Sequence, residues 1–279
     1  MGRVENVEIF KDTERLCKTN ARLAKFVKLS TAGQKLILEG EAMPEQTLLL
    51  YEKAAKVTVS KKRTFEAASA YREGRVAVLN FASASNPGGG VVKGSGAQEE
   101  CLCRCSGLFF SLNAPDMWEG FYTPHRKAQD PLHNDDIIYT PDVIVFKSDT
   151  AMPRLMPQEK WYSVDVITCA APNLRSNPTN PMNPADGKPV KVSDKELLSL
   201  HEKRLKRILD VAVAEGVDTI ILGAFGCGAF MNNPEVVARA ARNVLQDYLH
   251  AFKNIEYAVY CRPDDDRNFR IFERVLRNL

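Results

Sequence analysis

The chain has 279 residues, 44% hydrophobic and 26% charged, a balance that specifies a folded protein with a substantial core, either one large domain with an appendage or two small ones. With 38 basic against 35 acidic residues, its net charge of +3 is too small to argue for nucleic-acid binding, while leaving room for an anionic small ligand. The first thirty residues mix acids and bases without the apolar core of a signal peptide, and no stretch reaches the roughly 18 apolar residues of a membrane span, so a cytosolic or nuclear protein is expected.

In chain order, residues 1–55 read as helical, with apolar side chains at helical spacing in "DTERLCKTNARLAKFVKLSTAGQKLIL" and punctuation at Pro44. From about Lys56 the pattern changes to short apolar runs separated by amphipathic segments. Strands are expected at 56–60, 75–82, 142–147, 162–170, 218–225 and 255–261, several of them nearly continuous in Val, Ile, Leu and Ala, as in strands buried on both faces. Helices are expected at 64–73, 98–112, 194–215, 234–252 and 267–276. Asp194 suits an N-cap and Gly216 a stop, and Asn233 before Pro234 opens the next helix. Residues 113–141 and 172–192 lack regular patterning and read as long loops. Strands alternating with helices imply a mixed, mostly parallel sheet whose ligands bind at the carboxyl ends of the strands.

The seven cysteines are an odd number scattered along the chain, which reads as reduced thiols rather than a disulfide framework. "CLCRC" at 101–105 does not make a metal site, because helical positions two apart point about 200° from one another and no CxxC or His pair completes a tetrahedral set.

The chemistry concentrates in "NFASASNPGGGVVKGSGAQEECLCRCSGLF", Asn80 to Phe109. A strand runs into three glycines, Gly88, Gly89 and Gly90, whose backbone N–H groups can approach an anionic ligand closely because no Cβ intervenes. The spacing matches neither a P-loop nor a GxGxxG dinucleotide loop. A second glycine segment, "LGAFGCGAFMNNP" from Leu222 to Pro234, also follows a buried strand and precedes a helix. Two such loops at the ends of strands in one sheet can hold a diphosphate between them. Glu99 and Glu100 open the helix after the first loop, where each carboxylate raises the proton affinity of the other while the helix N-terminus opposes this. Neighbours on a helix point about 100° apart, so one carboxylate faces the reacting bond and the other binds hydroxyls.

These residues resemble the poly(ADP-ribose) glycohydrolases. Three glycines, seven intervening residues and Gln-Glu-Glu look like the signature of that family, and the segment is similar in particular to its microbial-type branch. "ITCAAPNLR" (167–175) and "LGAFGCGAFMNNP" resemble its later blocks in the same order, so the likeness spans about 64–261. It implies an α/β, macrodomain-like three-layer α/β/α sandwich over 56–279, preceded by a helical N-terminal extension over 1–55. It also implies hydrolysis of ribose–ribose O-glycosidic bonds to release ADP-ribose. By resemblance Glu100 is the catalytic acid and base, and Glu99 holds ribose hydroxyls. Gly88, Gly89, Gly90 and Gln98 line the first ligand loop, and Asn86 contacts the distal ribose. Gly226, Cys227, Gly228 and Ala229 form the second phosphate loop, with Phe230 packing by the distal ribose. Tyr122 and Tyr139 are the candidates for the tyrosine that larger members place over the adenine. "ECLCRC" and "MNN" depart from the family pattern.

The resemblance implies ADP-ribose or poly(ADP-ribose) as ligand, ADP-ribosylated proteins as further partners, and neither metal nor cofactor. No direct contact with DNA or membrane is expected. Hydrolysis of a single ADP-ribose from protein or nucleobase would use the same acid, and a non-catalytic ADP-ribose-binding macrodomain would need the glycine loops without a proton donor. A cysteine hydrolase built on Cys227 is a further alternative, for which no histidine spacing nominates a base.

Overall fold

The computed structural model describes residues 2–44 and 46–279. Seven strands form one sheet in the order β1-β4-β5-β3-β6-β7-β2, where β1 is Lys35–Ile37, β2 Lys56–Ser60, β3 Val76–Phe81, β4 Ile137–Val145, β5 Tyr162–Cys169, β6 Thr219–Leu222 and β7 Asn254–Ala258. β5, β3, β6, β7 and β2 run parallel, while β4 is antiparallel to both β5 and β1. The sheet is thus mixed and mostly parallel.

The alternation of side chains along a strand assigns the two faces. Ala77 and Leu79 of β3, with Ile220 and Leu222 of β6 and Ile255 and Tyr257 of β7, pack under three helices: α8 (Asp194–Ala214), α9 (Pro234–Tyr248) and α10 (Arg267–Leu276). Val76 and Val78, with Val164 and Val166 of β5, face α3 (Thr64–Ala68), α4 (Gln98–Cys105) and α5 (Leu108–Leu112) on the other side, joined by Phe10 of α1 (Arg3–Thr19). The result is an α/β/α sandwich. Ser193, one residue before the expected cap, closes a capping box with Glu196 at the start of α8, and Asn233 caps α9 through the Glu235 N–H.

Several expectations on the edge of the sheet need correction. β1 lies inside the segment read as wholly helical. After α2 (Ala21–Ala32) the chain turns and adds Lys35–Ile37 to β4, a strand too short and too exposed to leave an alternating pattern. The stretch 113–141 is also largely ordered. It holds two short helices, α6 (Pro115–Met117) and α7 (Thr123–Ala128), around a π-turn at Trp118–Tyr122, and then the first residues of β4. β4 starts before the expected 142 because the register shifts between Thr140 and Val143, a bulge at Pro141 and Asp142 that hides the strand in the sequence. The expected helix 98–112 is two helices, broken at Ser106 and Gly107.

Candidate active site

The parallel strands β3, β5 and β6 end side by side, and the loops that follow them, 82–97, 170–193 and 223–233, meet above their carboxyl ends. Strand parity supplies the first polar contact. Asn80 shares the face of Val78, toward α4, and is fully buried. Its Nδ2 donates to Glu99 Oε1 at 3.1 Å and to Thr168 Oγ1, its cross-strand neighbour on β5, at 3.2 Å. The Ser83 N–H donates to Glu99 Oε2 at 2.9 Å. Glu99 is thus clamped at both oxygens from the end of β3.

Gln98 turns back onto the same strand. Its Oε1 accepts from the Phe81 N–H at 2.9 Å, and its Nε2 donates to Leu79 O at 2.8 Å and to Thr64 Oγ1 at 3.0 Å. With both amide hydrogens engaged within the protein, Gln98 brackets α4 to β3. Asn86 is likewise engaged at both ends, donating to Met182 O at 2.7 Å and accepting from Arg126, whose guanidinium lies 4.7 Å above the Trp118 ring.

Glu100 faces the glycine loop. Its Oε1 accepts the Gly90 N–H at 2.9 Å, while its Oε2 is buried without a hydrogen bond among the described residues. Gly89 has φ +57°, and a Cβ built on it would lie 2.7 Å from Glu100 Oε1 and 3.1 Å from Glu99 Oε2. Only glycine lets this backbone both turn left-handed and touch the two carboxylates. The carboxylates are 3% and 6% exposed. Burial, assisted by the charge of Glu100 and opposed by the Ser83 and Asn80 hydrogen bonds, pushes Glu99 up to about 8. Burial also raises Glu100, against the Gly90 N–H and Arg104. Both buried carboxyls are therefore harder to ionise than free ones.

The second loop turns through Gly226, with Cys227 and Phe230 half-buried and Gly228 and Ala229 exposed at its tip. Asn232 closes it from within. Asn232 Nδ2 donates to Gly226 O and to Pro172 O, and Oδ1 accepts from His201 Nε2 on α8 at 2.8 Å. The loop after β5 ties both glycine segments together. Asn183 accepts from Ser83 Oγ at 2.7 Å, Asp186 accepts from Ser85 Oγ and Asn173 Nδ2, and the Leu174 N–H donates to Phe230 O. Arg204 of α8 anchors this loop from below, with Nη1 on Ala170 O at 2.7 Å and Nε on Asp135 at 2.7 Å.

The structure therefore brings Glu99, Glu100, Gly88, Gly89 and Gly90 together at the carboxyl end of β3, and Gly226, Cys227, Gly228, Ala229 and Phe230 at that of β6. Tyr122 and Tyr139 do not reach a ligand surface: they are 0% and 1% exposed, and the Tyr139 hydroxyl is bonded to Asp165. Cys227 is no activated nucleophile. Burial pushes its thiol up, the opposite of what a thiolate needs, and its sulfur rests 3.7 Å from Phe225 O. The ring nitrogens given partners at His125, His133, His201 and His250 meet groups other than Cys227. Asn80, Ser83, Thr168, Asn183, Asp186 and Asn232 were not foreseen. A polar residue inside the apolar run "VAVLNFA" was the one available signal, for Asn80.

A model of the catalytic domain of microbial-type poly(ADP-ribose) glycohydrolase matches residues 4–148. Among solved structures, the poly(ADP-ribose) glycohydrolase from Thermomonospora curvata is similar at a TM-score of 0.81 and 28% identity, covering 97% of this chain and 98% of its own. The same protein bound to the inhibitor ADP-HPD is similar at 0.78 and 29%, covering 96% and 98%. The enzyme from Deinococcus radiodurans in complex with ADP-ribose is similar at 0.76 and 32%, covering 90% and 96%. No curated protein matches this chain in sequence. With more than half of its length under the family model and the glycine-to-glutamate segment folded into one site at the sheet's carboxyl edge, the chain belongs to the microbial-type poly(ADP-ribose) glycohydrolases.

Proposed function

We propose that this chain hydrolyses the ribose–ribose O-glycosidic bonds of poly(ADP-ribose) and releases ADP-ribose, with Glu100 as the catalytic residue. The observation that carries the reading is the hydrogen bond from the Gly90 N–H to Glu100, with Gly89 so close to both carboxylates that a Cβ would meet them, which supports a proton donor beside the loop that would hold a diphosphate. Similarity to structures described as complexes with ADP-ribose and with ADP-HPD supports the ligand class. Glu100 gives its proton to the leaving ribose oxygen as the glycosidic C–O electron pair moves onto that oxygen. The sugar passes through an oxocarbenium-like state, near which the diphosphate contributes negative charge. As a carboxylate, Glu100 then takes a proton from water, whose oxygen bonds the anomeric carbon, and its own proton is restored. Such acid–base help is worth about 10² to 10⁴ in rate.

Glu99, held at both oxygens, presents itself to the hydroxyls of the distal ribose. Gly88 to Gly90 and Gly226 to Ala229 take the diphosphate, Phe230 packs on that ribose, and Asn86 steadies the first loop beside it. Residues 56–279 supply the carboxylates and glycine loops, and residues 1–55 form an extension integral to the sheet through β1. All seven cysteines are free, which supports a reducing compartment, the cytosol. No helix among the described residues is long and apolar enough to cross a membrane.

The test compares two substrates, poly(ADP-ribose) and a peptide bearing one ADP-ribose, with binding of free ADP-ribose measured by calorimetry. Release from the polymer supports the reading. Release from the peptide alone identifies a single-unit hydrolase, and binding without release identifies a reader.

A further inference from the structure

The buried residues of α1 are Asn6, Phe10, Thr13 and Cys17, spaced four, three and four along one helical face. Two of these four are polar, and both polar side chains are spent on the segment that carries the glutamates. Asn6 Nδ2 donates to Gly94 O at 2.9 Å, and Thr13 Oγ1 donates to Arg104 O at 2.6 Å. Gly94 lies between the glycine loop and α4. It sits at φ +75°, and a Cβ there would collide with Arg3 O. Between the two polar contacts, Phe10 meets Phe109 edge to face at 4.9 Å, and the Phe109 ring lies against Gly88. Lys147, 2% exposed, fixes α1 in place by donating to Ile9 O at 3.0 Å and pairing with Asp12 at 2.8 Å.

The segment 88–104 is therefore tied to one face of α1 directly at Gly94 and Arg104, and through Phe109 at Gly88. Inside it the turn is stiff. Gly90 O accepts from the Lys93 and Ser95 N–H groups, the Gly94 N–H donates to Val91 O, and Arg104 Nη1 donates to Ser95 O at 2.6 Å. A shift at Gly94 must then move Gly90, whose N–H orients the Glu100 carboxyl.

We infer that α1 is a positioning element of the catalytic site, with Asn6 and Thr13 as positioning residues that set where the Gly90 N–H meets Glu100. This rests on the assignment of Glu100 under the proposed function. The requirement falls on the transition state more than on ground-state ADP-ribose binding, because Glu100 is oriented through Gly90, whereas the diphosphate taken by the first glycine loop is also taken by the second, which α1 does not touch through these contacts.

The full chain and its Asn6→Ala, Thr13→Val, Thr13→Ser and Lys11→Ala variants are compared, Lys11 lying on the exposed face of α1. Readouts are kcat and KM on poly(ADP-ribose), ADP-ribose affinity by calorimetry, and thermal melting, with kinetics taken well below each melting point. Asn6→Ala and Thr13→Val should lower kcat about tenfold with KM and ADP-ribose affinity within twofold of wild type, a size in keeping with one lost buried hydrogen bond. Thr13→Ser should restore kcat, and Lys11→Ala should leave it unchanged. Unchanged kcat in both loss variants overturns the inference, as does a parallel fall of kcat and affinity that tracks the folded fraction. An inactive wild type would instead refute the proposed function and the inference with it.

Discussion

Gly89→Ala isolates the contact between the glycine loop and the carboxylates. The new Cβ would stand 2.7 Å from Glu100 Oε1 and 3.1 Å from Glu99 Oε2, so Glu100 must recede from 2.7 Å to the 3.4 Å of an ordinary contact, about 0.7 Å, the order of displacement at which misplacement costs roughly 10²-fold in rate. The left-handed backbone adds about 1 to 2 kcal/mol for any residue with a Cβ, a loss of roughly 2 to 8 °C in melting temperature for a domain of this size. Single-turnover release of ADP-ribose from poly(ADP-ribose) at 25 °C, beside a thermal melt, separates the two effects. The expected result is a 10- to 100-fold lower rate on a protein that remains folded. A wild-type rate with the melting temperature reduced as stated would refute the contact as a determinant of catalysis.

Three other outcomes follow from the same geometry. Because burial raises the proton affinity of Glu100, the acid should stay protonated further toward neutrality than a free carboxyl and kcat/KM should fall on the alkaline side; a flat profile from about pH 6 to about pH 9 contradicts this. His201, pushed from 6.5 down to about 4 mainly by burial, is neutral in the fold and protonates more readily when unfolded. Its contribution of roughly 3 kcal/mol is present above pH 6.5 and is lost as pH falls toward 4, so His201→Gln should flatten the decline in denaturant midpoint between those values. Cys227→Ala should retain polymer cleavage within about threefold, since the thiol is buried and its proton affinity raised; complete loss would restore the cysteine-hydrolase alternative.

The interior strands were legible because "RVAVLNFA" and "DTIILGAF" are buried on both faces and leave apolar runs that no loop would carry. β1 was not, because a three-residue edge strand with its side chains partly exposed has no such run. In the stretch 113–141, prolines and glycine masked two short helices and the π-turn between them, whose Phe121 and Tyr122 are wholly buried. At the site, the spacing of glycines and glutamates was visible, but the use of each amide was not. Gln98 has the same donors and acceptors whether it meets a ligand or the backbone of β3, and only the fold places Leu79 O and the Phe81 N–H against it. The brace at Asn232 was equally hidden, since its partners Pro172 and His201 lie 60 and 31 positions away.

The most direct test of the account is release of ADP-ribose from poly(ADP-ribose) by the wild type and by Glu100→Gln, each also titrated with ADP-ribose by calorimetry. The account predicts release by the wild type and a loss of at least about 10²-fold in the variant, with ADP-ribose still bound by both. A variant that cleaves the polymer at the wild-type rate would contradict the assignment of Glu100 as the acid.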